Sequence, residues 1–255
     1  VDIWVCVKAI APPDALVDPS DWVKGGGGEL IMNRFDEFAV EEALLIREQI
    51  PDSRIHVISV GPEKAAPIVR RALGMGADEG IHILTERPGY LCPQTTAAWI
   101  AQYAQSRLPD LILTGMMSED DMNGQVGPLV AELLHWPCAT AVIARRFLPQ
   151  VGRLYVEREV EGGLREALTI QLPAVLAVQS GINQPRYPIL SKMLRANHKR
   201  LTLIRAETLA PCADQVMLRR TRNPQKTRAG RVLKGTPLDK ARQLITILQS
   251  RSLMP

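Results

Sequence analysis

Short apolar runs alternate along this chain with longer stretches whose apolar residues recur at helical spacing. Residues 2–8 (DIWVCVK), 55–60 (IHVISV), 81–84 and 111–114 (LILT) are runs of strand length; Gly61-Pro62 closes the second and Gly115 the last. Between the first two, residues 35–50 place Phe38, Ala39, Ala43, Leu44 and Ile46 along one side of a helix and stop before Pro51. Residues 64–73, 95–108 and 127–134 read as helices in the same way, and Gly74-Met75-Gly76-Ala77-Asp78 reads as a helix C-cap. Nearly continuous apolar strands separated by helices predict the α/β class. The sheet is mostly parallel with helices on both faces, because strands buried on both sides have no polar face to show.

After Trp136 the pattern changes. Residues 151–160 and 164–171 flank Gly162-Gly163 and predict an antiparallel hairpin, and residues 172–178 predict one more buried strand. A segment over 179–199 and a polar tail follow, and a short helix over 239–253 closes the chain. No internal repeat is present. The expected organisation is an α/β body over 1–205 and an extended arm over 206–255.

With 255 residues the chain can bury one sizeable core, and its 18 glycines and 19 prolines exclude collagen-like and low-complexity classes. No apolar run reaches the roughly 18 residues that a membrane-spanning helix requires, so no membrane insertion is expected. The start Val1-Asp2-Ile3-Trp4 does not read as a signal peptide. Cys6, Cys92, Cys138 and Cys212 are scattered without metal spacing, which fits a reducing cytoplasm, and Cys6 and Cys138 read as small core residues. Net charge is +4, divided between −8 over residues 1–189 and +12 over residues 190–255. The basic quarter invites a nucleic-acid reading. It contains no Phe, Tyr or Trp to stack bases, and Arg219, Arg220, Arg222, Lys226 and Arg228 are interleaved with Asn, Pro and Thr like an extended arm. A protein partner, not nucleic acid, is the expectation.

Candidate chemistry concentrates in Gly115-Met116-Met117-Ser118-Glu119-Asp120-Asp121-Met122-Asn123-Gly124-Gln125-Val126-Gly127-Pro128. This stretch follows a strand and opens a helix, so in a parallel sheet it lies at the carboxyl edge where ligands bind. Its glycines admit a close backbone approach, and N–H groups at a helix start attract phosphate. GxxxxGK[ST] and GxGxxG are both absent, which disfavours nucleotide hydrolysis of the P-loop kind. An ordinary strand-to-helix loop remains the alternative. Gly25 to Gly28 reads as a flexible loop. His56 and His82 fall inside strands, and His135 and His198 have no partner carboxylate that sequence can place beside them. Asp120-Asp121 is suited to Mg²⁺ or a ribose, though adjacent acids in a loop are usually solvated. No catalytic triad or metal motif occurs, so no catalytic residue and no metal site are expected.

Val156-Glu157-Arg158-Glu159-Val160-Glu161-Gly162-Gly163-Leu164-Arg165-Glu166-Ala167-Leu168, continuing through Pro173 to Ala177, resembles the signature of the β subunit of electron transfer flavoprotein without a gap. Four further stretches agree in order: Val5-Cys6-Val7-Lys8, residues 33–43 (NRFDEFAVEEA), residues 72–78 and residues 183–188 (NQPRYP). The resemblance spans residues 1 to about 205 and fades in the tail.

It implies an adenine-nucleotide α-hydrolase-like fold and an electron carrier rather than an enzyme. Family members are αβ heterodimers whose redox-active FAD is held mainly by the α subunit and shared at the interface. The β subunit binds AMP or, in the electron-bifurcating branch, a second FAD. Electrons pass from acyl-CoA-type dehydrogenases to a quinone oxidoreductase. Carried over by position, the nucleotide pocket uses Cys6, Asn33, Arg34, Phe35, Asp36, Val60 and Gly115 through Val126. Helix-start N–H groups with Asn123 and Gln125 hold the phosphate, backbone near Cys6 and Val60 frames adenine, and Phe35 lies toward the α-subunit flavin. Residues 179–200 correspond to the partner-recognition loop, with Leu190 as anchor and Lys192, Arg195 and Lys199 around it. The arm over 206–255 contacts the partner subunit. Several positions depart from the pattern: Ala11-Pro12-Pro13 stands where an aromatic is usual, Ser191 replaces a proline, and Met116-Met117-Ser118 replaces a basic-Gln-Ala run. Gln125-Val126-Gly127-Pro128 resembles the bifurcating branch, whereas AMP is the favoured ligand. A stand-alone ATP-binding enzyme or a stress-type nucleotide sensor is the competing class.

Overall fold

The computed structural model describes residues 1–12, 29–87, 90–148, 151–212, 216, 219 and 230–253. Gly25 to Gly28 and Arg220, Arg222, Lys226 and Arg228 lie outside these. In chain order the strands are β1 (Asp2–Cys6), β2 (Ala9–Ile10), β3 (Ile31–Met32), β4 (Arg54–Gly61), β5 (Glu79–Leu84), β6 (Leu111–Gly115), β7 (Cys138–Leu148), β8 (Arg153–Val160), β9 (Leu164–Gln171), β10 (Ala174–Val178) and β11 (Thr202–Arg205). The helices are α1 (Arg34–Gln49), α2 (Ala66–Met75), α3 (Pro93–Gln105), α4 (Val126–Leu134), α5 (Leu190–His198) and α6 (Pro237–Ser250).

One nine-stranded sheet has the order β11-β5-β4-β1-β6-β10-β7-β8-β9, and β2 pairs with β3 in a small antiparallel ribbon. From β11 to β7 every pairing is parallel, and β8 and β9 continue the sheet antiparallel. Alternation along β1 shows why both faces are covered. Ile3 and Val5 join a core with Phe38, Ala39, Leu44, Val69 and Leu73 from α1 and α2. Trp4 and Cys6 join a second core with Trp99, Ile100, Val130 and Ala131 from α3 and α4. The parallel sheet, the covered faces and the hairpin are as the sequence predicts.

Strand β7 was not legible in the sequence. Its register slips between Val142 and Ala144 and Ala141 takes φ 55°, so an extra residue breaks the two-residue alternation by which a strand is read. Its Arg145 is also buried, donating from Nε to Glu42 Oε1 at 2.5 Å and from Nη1 to Gln49 Oε1 at 2.7 Å. The neighbouring Glu41 takes Arg186 in a forked pair, with Nη2 at 2.7 Å, and Asn183 Nδ2 reaches Glu42 Oε2 at 2.8 Å. The Glu-Glu of α1 therefore anchors both β7 and the segment leading to α5.

The chain separates into two compact units, Val1–Thr221 and Arg222–Pro255. Within the first, Ala206 and Leu209 pack in the α3 face core, so the residues just after β11 stay on the body. Within the second, α6 opens with a capping box: Thr236 Oγ1 accepts from Asp239 N–H at 3.3 Å, and Asp239 Oδ2 accepts from Thr236 N–H at 3.1 Å. Its Leu238, Leu244 and Ile245 are exposed. Among the described residues no helix is long and apolar enough to cross a membrane.

Candidate functional site

Strand β1 leads through α1 to β4 on one side, and β6, which comes later, takes the other side of β1. The chain thus leaves β1 and β6 in opposite directions, and their carboxyl ends open a crevice. A cleft lies there, at the edge of the sheet where open α/β folds bind ligands. Cys6, Val7 and Lys8 line it from the end of β1, Ile58 and Val60 from β4, and Thr114 and Gly115 from β6. Leu91, Pro93, Thr96 and Ile100 contribute the start of α3, and Met117, Ser118, Asp121, Asn123, Gly124, Val126 and Gly127 contribute the loop into α4. The lining is mostly apolar with a few polar groups, as is usual for small-molecule sites.

Asp36 fixes the bottom of the crevice. Its Oδ2 accepts from Lys8 N–H at 2.7 Å and its Oδ1 from Gly115 N–H at 3.1 Å, so one carboxyl holds the ends of β1 and β6 together. Burial pushes this carboxyl up to about 7, against the hydrogen bonds it receives from Lys8, Asn33 and Gly115. Asn33 staples the neighbouring loop: its Nδ2 donates to Met117 O at 2.9 Å and its Oδ1 accepts from Glu119 N–H at 3.0 Å. Lys8 Nζ reaches Asp120 Oδ1 at 2.7 Å, Ser118 Oγ at 3.2 Å and Asp121 Oδ2 at 3.6 Å. Tyr90 donates its hydroxyl to Asp121 Oδ2 at 3.2 Å, and burial beside Asp121 pushes the phenol up to about 12. Ser118 Oγ also donates to Asp121 Oδ1. Three chain segments therefore meet on two adjacent aspartates. These are largely buried and engaged, where the sequence suggested solvated acids, and among the described residues no acid, His and Cys cluster has metal-holding geometry.

At the start of α4, Asn123 Oδ1 accepts from Gln125 N–H at 2.9 Å. By position, the N–H groups of Val126 and Gly127 have no intrahelical acceptor, and Pro128 has no N–H to offer. Gly124 and Gly127 keep backbone close to the cleft. A Cβ at 124 would stand 2.7 Å from Met116 O, and one at 127 would stand 2.7 Å from Thr114 Oγ1. That Thr114 hydroxyl is buried and has no hydrogen-bond partner. The apolar wall of the cleft and the open helix start are a lining into which an adenine nucleotide would fit.

Of the residues singled out in the sequence, Cys6, Asn33, Asp36, Val60, Gly115, Met117, Ser118, Asp121, Asn123, Gly124 and Val126 line the cleft. Arg34, Phe35, Met116, Glu119, Asp120, Met122 and Gln125 do not. Among these, Phe35 packs its Cβ under Gly115, Arg34 N–H reaches Glu119 Oε2 at 3.3 Å, and Met122 is exposed at φ 52°. Sequence reasoning passed over Lys8, Thr114, Tyr90 and the start of α3. Lys8 and Thr114 stand at strand carboxyl ends, which is the one signal that could have marked them; the role of α3 emerges only from packing. His56 sits between Asp2 Oδ1 at 3.2 Å and Glu79 Oε2 at 3.5 Å, and buried His82 pairs with Gly61 O at 3.1 Å, both as strand histidines.

The predicted docking residues fall on α5, whose Leu190 is 74% exposed, with Lys192 and Arg195 also exposed. Arg70 Nη1 donates to the carbonyl oxygens of Ala196, Asn197 and Lys199, seating the end of α5 on α2.

Sheet order and a cleft at the topological switch point define a doubly wound α/β protein. The electron transfer flavoprotein domain family matches residues 24–208. The β subunit of cattle (Bos taurus) electron transfer flavoprotein is 36% identical over 205 residues, covering 80% of this chain and 77% of that protein. The Homo sapiens β subunit is 36% identical over 204 residues, covering 78% and 76%. The Bacillus subtilis β subunit is 32% identical over 239 residues, covering 90% of each. The chain belongs to the electron transfer flavoprotein family, among its β subunits, and is an electron-carrier subunit rather than an enzyme.

Proposed function

We propose that this chain pairs with an electron transfer flavoprotein α subunit and holds AMP in the cleft between β1 and β6. The heterodimer carries electrons from an acyl-CoA-type dehydrogenase to a quinone oxidoreductase. The observation that carries the nucleotide reading is the cleft itself. An apolar wall of Ile58, Val60 and Ile100 suits a purine, and the start of α4 with Asn123 and Gly124 suits a phosphate. Lys8, Asn33 and Asp36 act on the site by fixing the loop 116–125 and the two strand ends. AMP contributes structure, whereas FAD in the α subunit supplies the redox chemistry. Leu190 on α5 serves as the apolar anchor for the electron donor, and Lys192 and Arg195 steer its approach.

Denaturing the purified heterodimer and identifying the released nucleotides tests the reading. One FAD and one AMP per heterodimer are expected. Two FAD would support the bifurcating alternative, which Gln125-Val126-Gly127-Pro128 resembles. A chain that is stable alone and releases no adenine nucleotide would sink the nucleotide assignment. Replacing Leu190 by alanine should slow reduction by the dehydrogenase and leave the bound nucleotides unchanged.

A further inference from the structure

Between β10 and α5, residues 184–189 form no regular structure, yet they are held harder than a connection requires. Arg186 forks onto Glu41: Nη2 reaches Oε1 at 2.7 Å, Nε reaches Oε2 at 2.9 Å, and the Arg186 N–H donates to the same Oε2 at 3.0 Å. Its Nη2 also meets Glu48 Oε1 at 2.9 Å. Just before it, Asn183 Nδ2 donates to Phe38 O at 3.0 Å and to Glu42 Oε2 at 2.8 Å. Pro188 restricts the backbone between Arg186 and the first turn of α5. Gly74 of α2 leaves a notch for Met193 of α5, whose Sδ any Cβ at 74 would overlap. The Glu41 side chain is only 5% exposed, and burying a carboxylate is costly unless a cation satisfies it. A plain solvated turn would join β10 to α5 without that cost.

What these contacts hold in place is apolar and faces outward. Tyr187 is 87% exposed, and Ile189, Leu190 and Leu194 are exposed with it. Large apolar side chains exposed together on a fixed backbone mark an interaction surface. A surface that is already ordered loses less conformational freedom on binding. Lys192 and Arg195 are exposed among them, so the complementary surface is an apolar pocket rimmed by carboxylates. We infer that Arg186 is a positioning residue for docking of the electron donor: its fork on Glu41 sets Leu190 in place before the donor arrives. This rests on the docking role proposed for α5 and adds to it a residue that acts through Leu190.

The test uses the heterodimer with its α subunit and FAD, assayed as electron acceptor for a purified acyl-CoA dehydrogenase supplied with its acyl-CoA. Arg186→Gln should raise KM for the heterodimer about tenfold and leave kcat within about twofold. Arg186→Lys, which keeps the charge but not the fork, should fall between. Leu190→Ala should raise KM as well. Adding Arg186→Gln to Leu190→Ala should raise it by less than about twofold more, because a misplaced anchor and a missing one lose the same contact. Glu41→Gln with Arg186→Gln leaves no charge buried alone, so this double variant should melt near wild type and keep the raised KM. Unchanged KM in Arg186→Gln, full additivity with Leu190→Ala, or wild-type KM in the Glu41→Gln double variant would each overturn the assignment. If Leu190→Ala itself leaves KM unchanged, the docking reading fails and takes this inference with it.

Discussion

Asp36 sits where α1 begins and accepts from the N–H groups of Lys8 and Gly115, two residues separated by more than a hundred positions in the chain. Its folded pKa of about 7 lies above the ordinary aspartate value because of burial. The folded chain therefore holds more protons than the unfolded chain between about pH 4 and pH 7, and stability should fall as pH rises through that window. Asp36→Asn, which cannot titrate, should flatten the fall, as urea denaturation between pH 5 and pH 8 would register; equal slopes would refute the assignment. Arg145 and Glu42 form a pair whose side chains are only 3% and 6% exposed. Arg145→Met leaves Glu42 charged and buried, at a cost of about 3–5 kcal/mol, whereas Arg145→Met with Glu42→Leu should recover much of it. A single variant as stable as wild type in urea would show that the pair is dispensable. Glu41, Glu42, Asn183 and Arg186 all stood out in the sequence as parts of a family pattern. That they meet one another did not, because nothing local ties residue 42 to residue 183.

The loop 116–125 shows how an element acquires a shape that its residues alone do not specify. Glycine, adjacent acids and a following helix are visible in the sequence and indicate a carboxyl-edge loop. Its conformation is imposed from outside, by Asn33 on Met117 and Glu119, by Lys8 on Asp120 and by Tyr90 on Asp121. Gly124 lies inside this frame, and an added Cβ would stand 2.7 Å from the backbone oxygen of Met116, which cannot swing aside as a side chain can. Gly124→Ala should weaken AMP binding by roughly tenfold and lower the melting temperature by a few degrees. Unchanged AMP binding in calorimetry would mean that the loop conformation is irrelevant to the ligand. Strand β7 teaches the complementary lesson. A bulge at Ala141 to Ala144 shifts which side chains face the core, so the alternation that marks β8 and β9 is lost even though the strand is longer than either.

For the whole molecule, charge is the property with the widest reach. The −8 over residues 1–189 and +12 over residues 190–255 set an acidic body against a basic quarter. The basic quarter includes α5 and the whole of the unit Arg222–Pro255. Truncation after Thr221 should leave a body that melts cooperatively near the wild-type temperature and should abolish co-purification with the α subunit. Retained co-purification at moderate salt would show that the unit is not needed for assembly, and salt-sensitive binding of nucleic acid by the full chain would return to the reading set aside for want of aromatic residues. The α/β class, most of the parallel strands, the hairpin and the position of the carboxyl-edge loop are readable from residue order alone. All of these follow from short-range periodicity and from glycine and proline punctuation. Folding, and not residue order, sets Lys8 on Asp120 across 112 positions, puts the start of α3 in the wall of the cleft and buries the Thr114 hydroxyl. The physical reason is that periodicity records which face of an element is buried, whereas the partner waiting on that face is set by the order in which strands join the sheet.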